Sequence, residues 1–152
     1  MRICRRLQQA CLLALVPVVA ASAEADLDAA FRRATKLLEP YIVLTDRSAT
    51  EARTPDGRAK IAEAVGLLNG VTAASPNDWP SFWFIGKAHQ ALRDHPAAYA
   101  AFKQSLALRP PNPNVAREFV IEAICVRATS EAVAAAQFSA AWLRTGALDM
   151  SA

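Results

Sequence analysis

The chain has 152 residues, 53% of them hydrophobic and 20% charged, which is too apolar for a disordered chain and fits one compact domain. Its formal charge of +3 arises from 17 Lys and Arg against 14 Asp and Glu. Arg2, Arg5 and Arg6 supply that excess at the extreme N-terminus, so no clustered basic surface of the kind a nucleic-acid binder needs is left in the rest of the chain.

Those arginines precede an apolar run from Cys11 to Ala20 that ends in Ala21-Ser22-Ala23. The order charged, apolar, small is that of a secretory signal peptide, so cleavage is expected after Ala23 and the protein is expected to be periplasmic or secreted. An uncleaved anchor or a buried helix is the alternative reading. The run is shorter than the roughly 20 residues that span a bilayer, which argues against integral insertion. Without residues 1–23, 14 basic and 14 acidic residues remain, and Cys125 is left as a single cysteine. In an exported chain such a thiol can pair with another molecule. Cys125 lies in the apolar run Phe119 to Val126, however, where a small buried hydrophobe is the default.

A first helix is expected over 26–40, because Leu27, Ala30, Phe31, Ala34, Leu37, Leu38 and Tyr41 recur at intervals of three and four. Pro40 should end or kink it. Residues 41–57 read as a long connection, polar from Thr45 to Gly57, broken at Pro55-Asp56-Gly57 and most mobile over that polar stretch. A helix over 58–74 buries Ile61, Ala64, Val65, Leu67, Leu68 and Val71. Two more follow, one from Pro80 to Leu92 behind an Asn77 or Asp78 cap, the other from Pro96 to a stop at Pro110-Pro111. A final pair is expected at 114–126 and 130–145.

A 34-residue period runs through these elements. Ala64, Ala98 and Ala132 share it, as do Pro76 and Pro110, and Leu68, Phe102 and Ala136. Between Trp79 and Asn112 the chain reads Phe82-x2-Ile85-Gly86-x2-His89, then Ala98-x3-Phe102, then Pro110. This resembles the tetratricopeptide-repeat (TPR) pattern W-x2-L-G-x2-Y, A-x3-F, P. The resemblance covers about 58–146 and is strongest over 79–112; the flanking units are degenerate, as terminal repeats often are. It implies an all-α fold, a short right-handed superhelix of five to six helices in antiparallel pairs. Residues 24–57 would form an N-terminal helix and connecting loop, and 147–152 a tail. The small Gly86 and Ala98 should face one another where the central helices approach, beside Phe102.

Catalysis would need a nucleophile with a base, paired carboxylates in a cleft, or a metal cluster, and the sequence offers poor candidates for each. His89 and His95 are six apart, which is not the i, i+4 spacing of two ligands on one helix face. His89 sits at an aromatic position of the repeat and should be packed. Glu118 and Glu122, near Arg117, read as a solvated or ion-paired edge. No catalytic residue, metal ligand or cofactor is therefore assigned.

The positive expectation is binding. The TPR resemblance implies a concave groove lined by the first helices of successive pairs and occupied by a segment of a protein partner. Trp83, Lys87 and Gln90 should line it, with Asn114, Arg117, Ile121 and Ile124 on the next first helix. Lys87 and Arg117 would favour a partner segment carrying carboxylates. Trp83 could instead pack against the N-terminal helix. Three functions are carried forward: a non-enzymatic protein- or peptide-binding adaptor of the cell envelope or exterior, a stabilising subunit of a larger envelope assembly held through the ends of the stack, and an enzyme.

Overall fold

The computed structural model describes residues 4–43, 45–108, 113–137 and 140. All regular structure among them is α-helical: α1 (Cys4–Ile42), α2 (Asp46–Ala52), α3 (Pro55–Ala74), α4 (Trp79–Ala91), α5 (His95–Leu108), α6 (Pro113–Cys125) and α7 (129–137). No described helix is long and apolar enough to cross a membrane. The expected last turns of the final helix, to 145, and the tail at 147–152 lie outside the described residues, as does the Pro110-Pro111 stop.

In α1 the stripe read from periodicity is the one that turns inward. Ala34, Leu38 and Tyr41 are buried while Arg32, Arg33, Lys36 and Glu39 are exposed. The helix continues two residues past Pro40, which is so near the end that little helix remains for its missing donor to disrupt. Antiparallel to α1 lies α3: Arg33 pairs with Glu63, and Glu24 and Leu27 share a depression with Val71 and Ser75.

The expected connection over 41–57 is largely helical. Thr45 and Ser48 form a reciprocal capping box, Ser48 N donating to Thr45 Oγ1 at 3.1 Å and Thr45 N to Ser48 Oγ at 2.8 Å. The seven-residue α2 follows from it, burying Ser48 and Ala52. Pro55-Asp56-Gly57, read as a turn, is the first turn of α3. Thr54 caps it through Gly57 N at 3.1 Å, proline suits a position that needs no donor, and Asp56 faces the positive helix end. Only glycine fits at position 57, because a Cβ there would stand 2.1 Å from Glu51 O and 3.0 Å from Ala52 Cα.

The central pair is antiparallel. Ser105 Oγ donates to Trp79 O at 3.0 Å at one end, and the Phe102 ring lies over Gly86 in the middle, where a Cβ would stand 2.5 Å from Phe102 Cε1. Gly86 therefore faces Phe102 itself, and Ala98 lies one turn away in the same core. Both α4 and α6 end in Schellman motifs. Arg93 (φ 60°) and Arg127 (φ 64°) are their left-handed residues, with Arg93 N bonded to Gln90 O and Asp94 N to His89 O, then Arg127 N to Ile124 O and Ala128 N to Ala123 O. The two left-handed residues are 34 apart, so the period seen in the side chains is also a period of the backbone.

Two apolar clusters result. Ala34, Leu38, Ile61, Leu68, Ile85 and Ala88 join α1 to α3 and α4; Ala98, Phe102, Phe119, Ala123, Ala132 and Ala135 join α5 to α6 and α7. Phe31 meets Phe84 edge-on at 5.6 Å, and Tyr99 stacks on Phe119 at 5.4 Å.

Candidate functional site

Between α4 and α6 the structure holds a polar seam in place of an open groove. Phe119 and Ala123 point α6 into the second core, with Val115 buried one turn earlier, and the same rotation of the helix turns Glu118 and Glu122, one turn apart, toward α4. There Lys87 and Gln90, also one turn apart, meet them. The Gln90 amide bridges the two carboxylates, Nε2 donating to Glu118 Oε2 at 3.0 Å and to Glu122 Oε1 at 2.9 Å, while Lys87 Nζ donates to Gln90 Oε1 at 2.7 Å and lies 3.5 Å from Glu118 Oε2. Arg117 closes one end on Glu118 Oε1 at 2.8 Å, and His95 Nδ1 closes the other on Glu122 Oε2 at 2.8 Å.

All four central side chains are buried, Glu122 to 1% exposure. Burial pushes the Lys87 ammonium below the ordinary lysine value, against the pull of the facing Glu118 carboxylate. For Glu118 burial alone would raise the carboxyl; the Gln90 hydrogen bond with the Lys87 and Arg117 cations outweighs it and holds the group below the ordinary carboxylate range. The cations of the seam are therefore matched by carboxylates within it.

This placement corrects several expectations. Lys87 and Gln90 are buried parts of the seam, and Lys87 is not an accessible cation. Glu118 and Glu122 are buried, so the solvated alternative fails, while the ion-paired one holds through Lys87 and Arg117 on Glu118. Trp83 is half-buried against the second core and edge-on to Phe84 at 4.8 Å, and Phe84 in turn meets Phe31 of the N-terminal helix. Cys125 is exposed, because it is the last residue of α6 and lies off that helix's buried face. Ile121 and Ile124 face outward, 44% and 58% exposed.

Outside the seam, α6 presents the remaining expected residues together. Asn114, Arg117 and Ile121 line a depression of about 420 Å³ with Val120 and Ala136. Ile121 also borders a second, of about 290 Å³, with Gln90, Arg93, His95, Glu122 and Cys125. Sequence reasoning missed Glu118, Glu122 and His95. A signal existed for the glutamates, since their positions fall within the turns that carry the apolar stripe Val115, Phe119 and Ala123; no local pattern brings His95 to them. Comparison of the chain with protein-family models, with curated proteins and with solved structures gives no match.

Proposed function

We propose that this chain is a non-enzymatic, TPR-like helical-repeat adaptor, exported by its N-terminal signal, that binds a segment of a partner protein along the outer face of α6. Its helix pairs would continue in the right-handed superhelical sense that the repeat resemblance implies. The observation that carries the reading is the pair of exposed isoleucines, Ile121 and Ile124, on one face of α6 beside the depression lined by Asn114, Arg117 and Val120. Apolar side chains grouped beside a concavity and rimmed by polar ones are what a docking segment covers. Glu118 is not suited to act as a general acid at neutral pH, which needs a raised carboxyl pKa, because its own is lowered.

The partner chemistry differs from the acidic segment that the sequence suggests. Lys87 is buried and Arg117 is already paired with Glu118, so apolar contact should dominate and salt should matter little. Peptides selected from a displayed library against the purified protein provide the test. Ile121→Asp and Ile124→Asp should each weaken binding by about 2 kcal/mol, as expected of hot spots, with helix content unchanged. Selected peptides that bind both variants as tightly as the parent would remove α6 from the binding surface.

A further inference from the structure

We propose that His95, Glu122 and Cys125 form a binding site for a borderline divalent transition-metal ion, with zinc as the first candidate. One potential ligand atom from each residue lies within 4.8 Å of the other two. The last turn of α6 sets Glu122 and Cys125 three residues apart on adjoining positions of one face, and His95, the first residue of α5, places Nδ1 2.8 Å from Glu122 Oε2. Tetrahedral zinc with bonds of about 2.0–2.3 Å keeps its ligand atoms roughly 3.3–3.7 Å apart. Reaching that spacing brings the sulfur in by up to about an ångström and opens the 2.8 Å His95–Glu122 pair by about half an ångström, shifts that the exposed cysteine and the half-exposed imidazole can make by side-chain rotation.

The donor set selects the ion. Imidazole with thiolate favours zinc, cobalt, nickel or copper over magnesium and calcium, which take oxygen ligands. Carboxylate and thiolate together carry two negative charges, matching a divalent ion. The site also has an outer shell. Gln90 Nε2 holds Glu122 Oε1 at 2.9 Å, leaving Oε2 directed toward His95, and Lys87 in turn fixes the Gln90 amide at 2.7 Å. Outer hydrogen bonds of this kind orient ligands and tighten binding. The three residues line the depression of about 290 Å³ shared with Ala91, Arg93 and Ile121, which leaves room for a fourth ligand, water or a group from a bound molecule. Three protein ligands with one open position is the arrangement of reactive or exchangeable zinc sites. This assignment stands independently of segment binding by α6.

The full chain, stripped with a chelator, is titrated with Co²⁺ and then Zn²⁺. One equivalent of Co²⁺ should produce tetrahedral visible bands together with a thiolate-to-cobalt charge-transfer band, and Zn²⁺ should displace it. Cys125→Ser should abolish the charge-transfer band although Cys4 and Cys11 remain. His95→Ala should weaken uptake at least tenfold, and Gln90→Ala by about 10- to 100-fold through the outer shell. Glu122 is too buried for its replacement to be informative; the His95 and Cys125 side chains are accessible, and circular dichroism verifies that their variants fold. The proposal is overturned if folded Cys125→Ser and His95→Ala chains bind cobalt as the parent does, if the parent takes up none, or if uptake requires two chains by size-exclusion mass.

Discussion

At the scale of single residues, the four described glycines divide by what a methyl group would meet. At Gly57 it would meet backbone, Glu51 O at 2.1 Å, which cannot swing aside. At Gly86 it would meet the Phe102 ring at 2.5 Å, in a core that has no slack. Gly66 and Gly70, on the exposed side of α3, have nothing within 4 Å. Alanine should therefore destabilise at 86 by about 1–3 kcal/mol through overpacking and at 57 by at least as much. It should stabilise at 66 and at 70 by roughly 0.5–1 kcal/mol each, the helix-propensity difference. Phe102→Ala should cost about 3–5 kcal/mol. Urea unfolding of the variants measures both signs, and a loss at 66 would show that this face of α3 is covered.

At the scale of elements, the helix ends and the seam set the register of the stack. Arg93 and Arg127 hold left-handed backbone that costs a non-glycine residue about 1–2 kcal/mol. Glycine at either should recover about 1 kcal/mol of that, less what the freer unfolded chain takes back, and a thermal melt reads the gain. Asp78 accepts from Ser81 N at 3.1 Å, so Asp78→Ala should cost about 0.5–2 kcal/mol.

The Lys87–Glu118 pair makes a sharper case, since both side chains are buried. Removing one partner strands the other's charge, and Glu118→Gln should cost about 3–5 kcal/mol, whereas Lys87→Met with Glu118→Leu should come near to neutral. A pH dependence follows with a definite sign. The folded Glu118 pKa is depressed, so its contribution is complete above the ordinary carboxylate value and disappears as pH falls through the folded one. The parent should lose stability to acid over that window, and the double variant should lose less.

On the scale of the whole molecule, two apolar clusters joined through α4 and α5 imply that the ends of the stack are held through its central pair. Disrupting Phe102 should therefore loosen α6 and α7, where Phe119, Ala123 and Ala132 share its cluster, before it loosens α1 and α3. Hydrogen exchange on Phe102→Leu resolves this: protection should fall first over 113–137, and a uniform loss would mean that the chain unfolds as one unit.

The sequence by itself determined where most helices lie, which face of each is apolar and the 34-residue step that relates them, because periodicity and capping are local properties of the chain. It left α2 hidden, since a seven-residue helix whose capping box closes with serine resembles a polar loop. It located Asn114, Arg117, Ile121 and Ile124 on α6 but misjudged what Lys87 and Gln90 touch. Only the tertiary structure decided that. Neighbouring helices meet through opposite flanks, so residues 34 apart, which take equivalent positions on their own helices, need not touch. Lys87 and Gln90 thus meet Glu118 and Glu122, and the same packing brings His95 to Glu122 and Cys125.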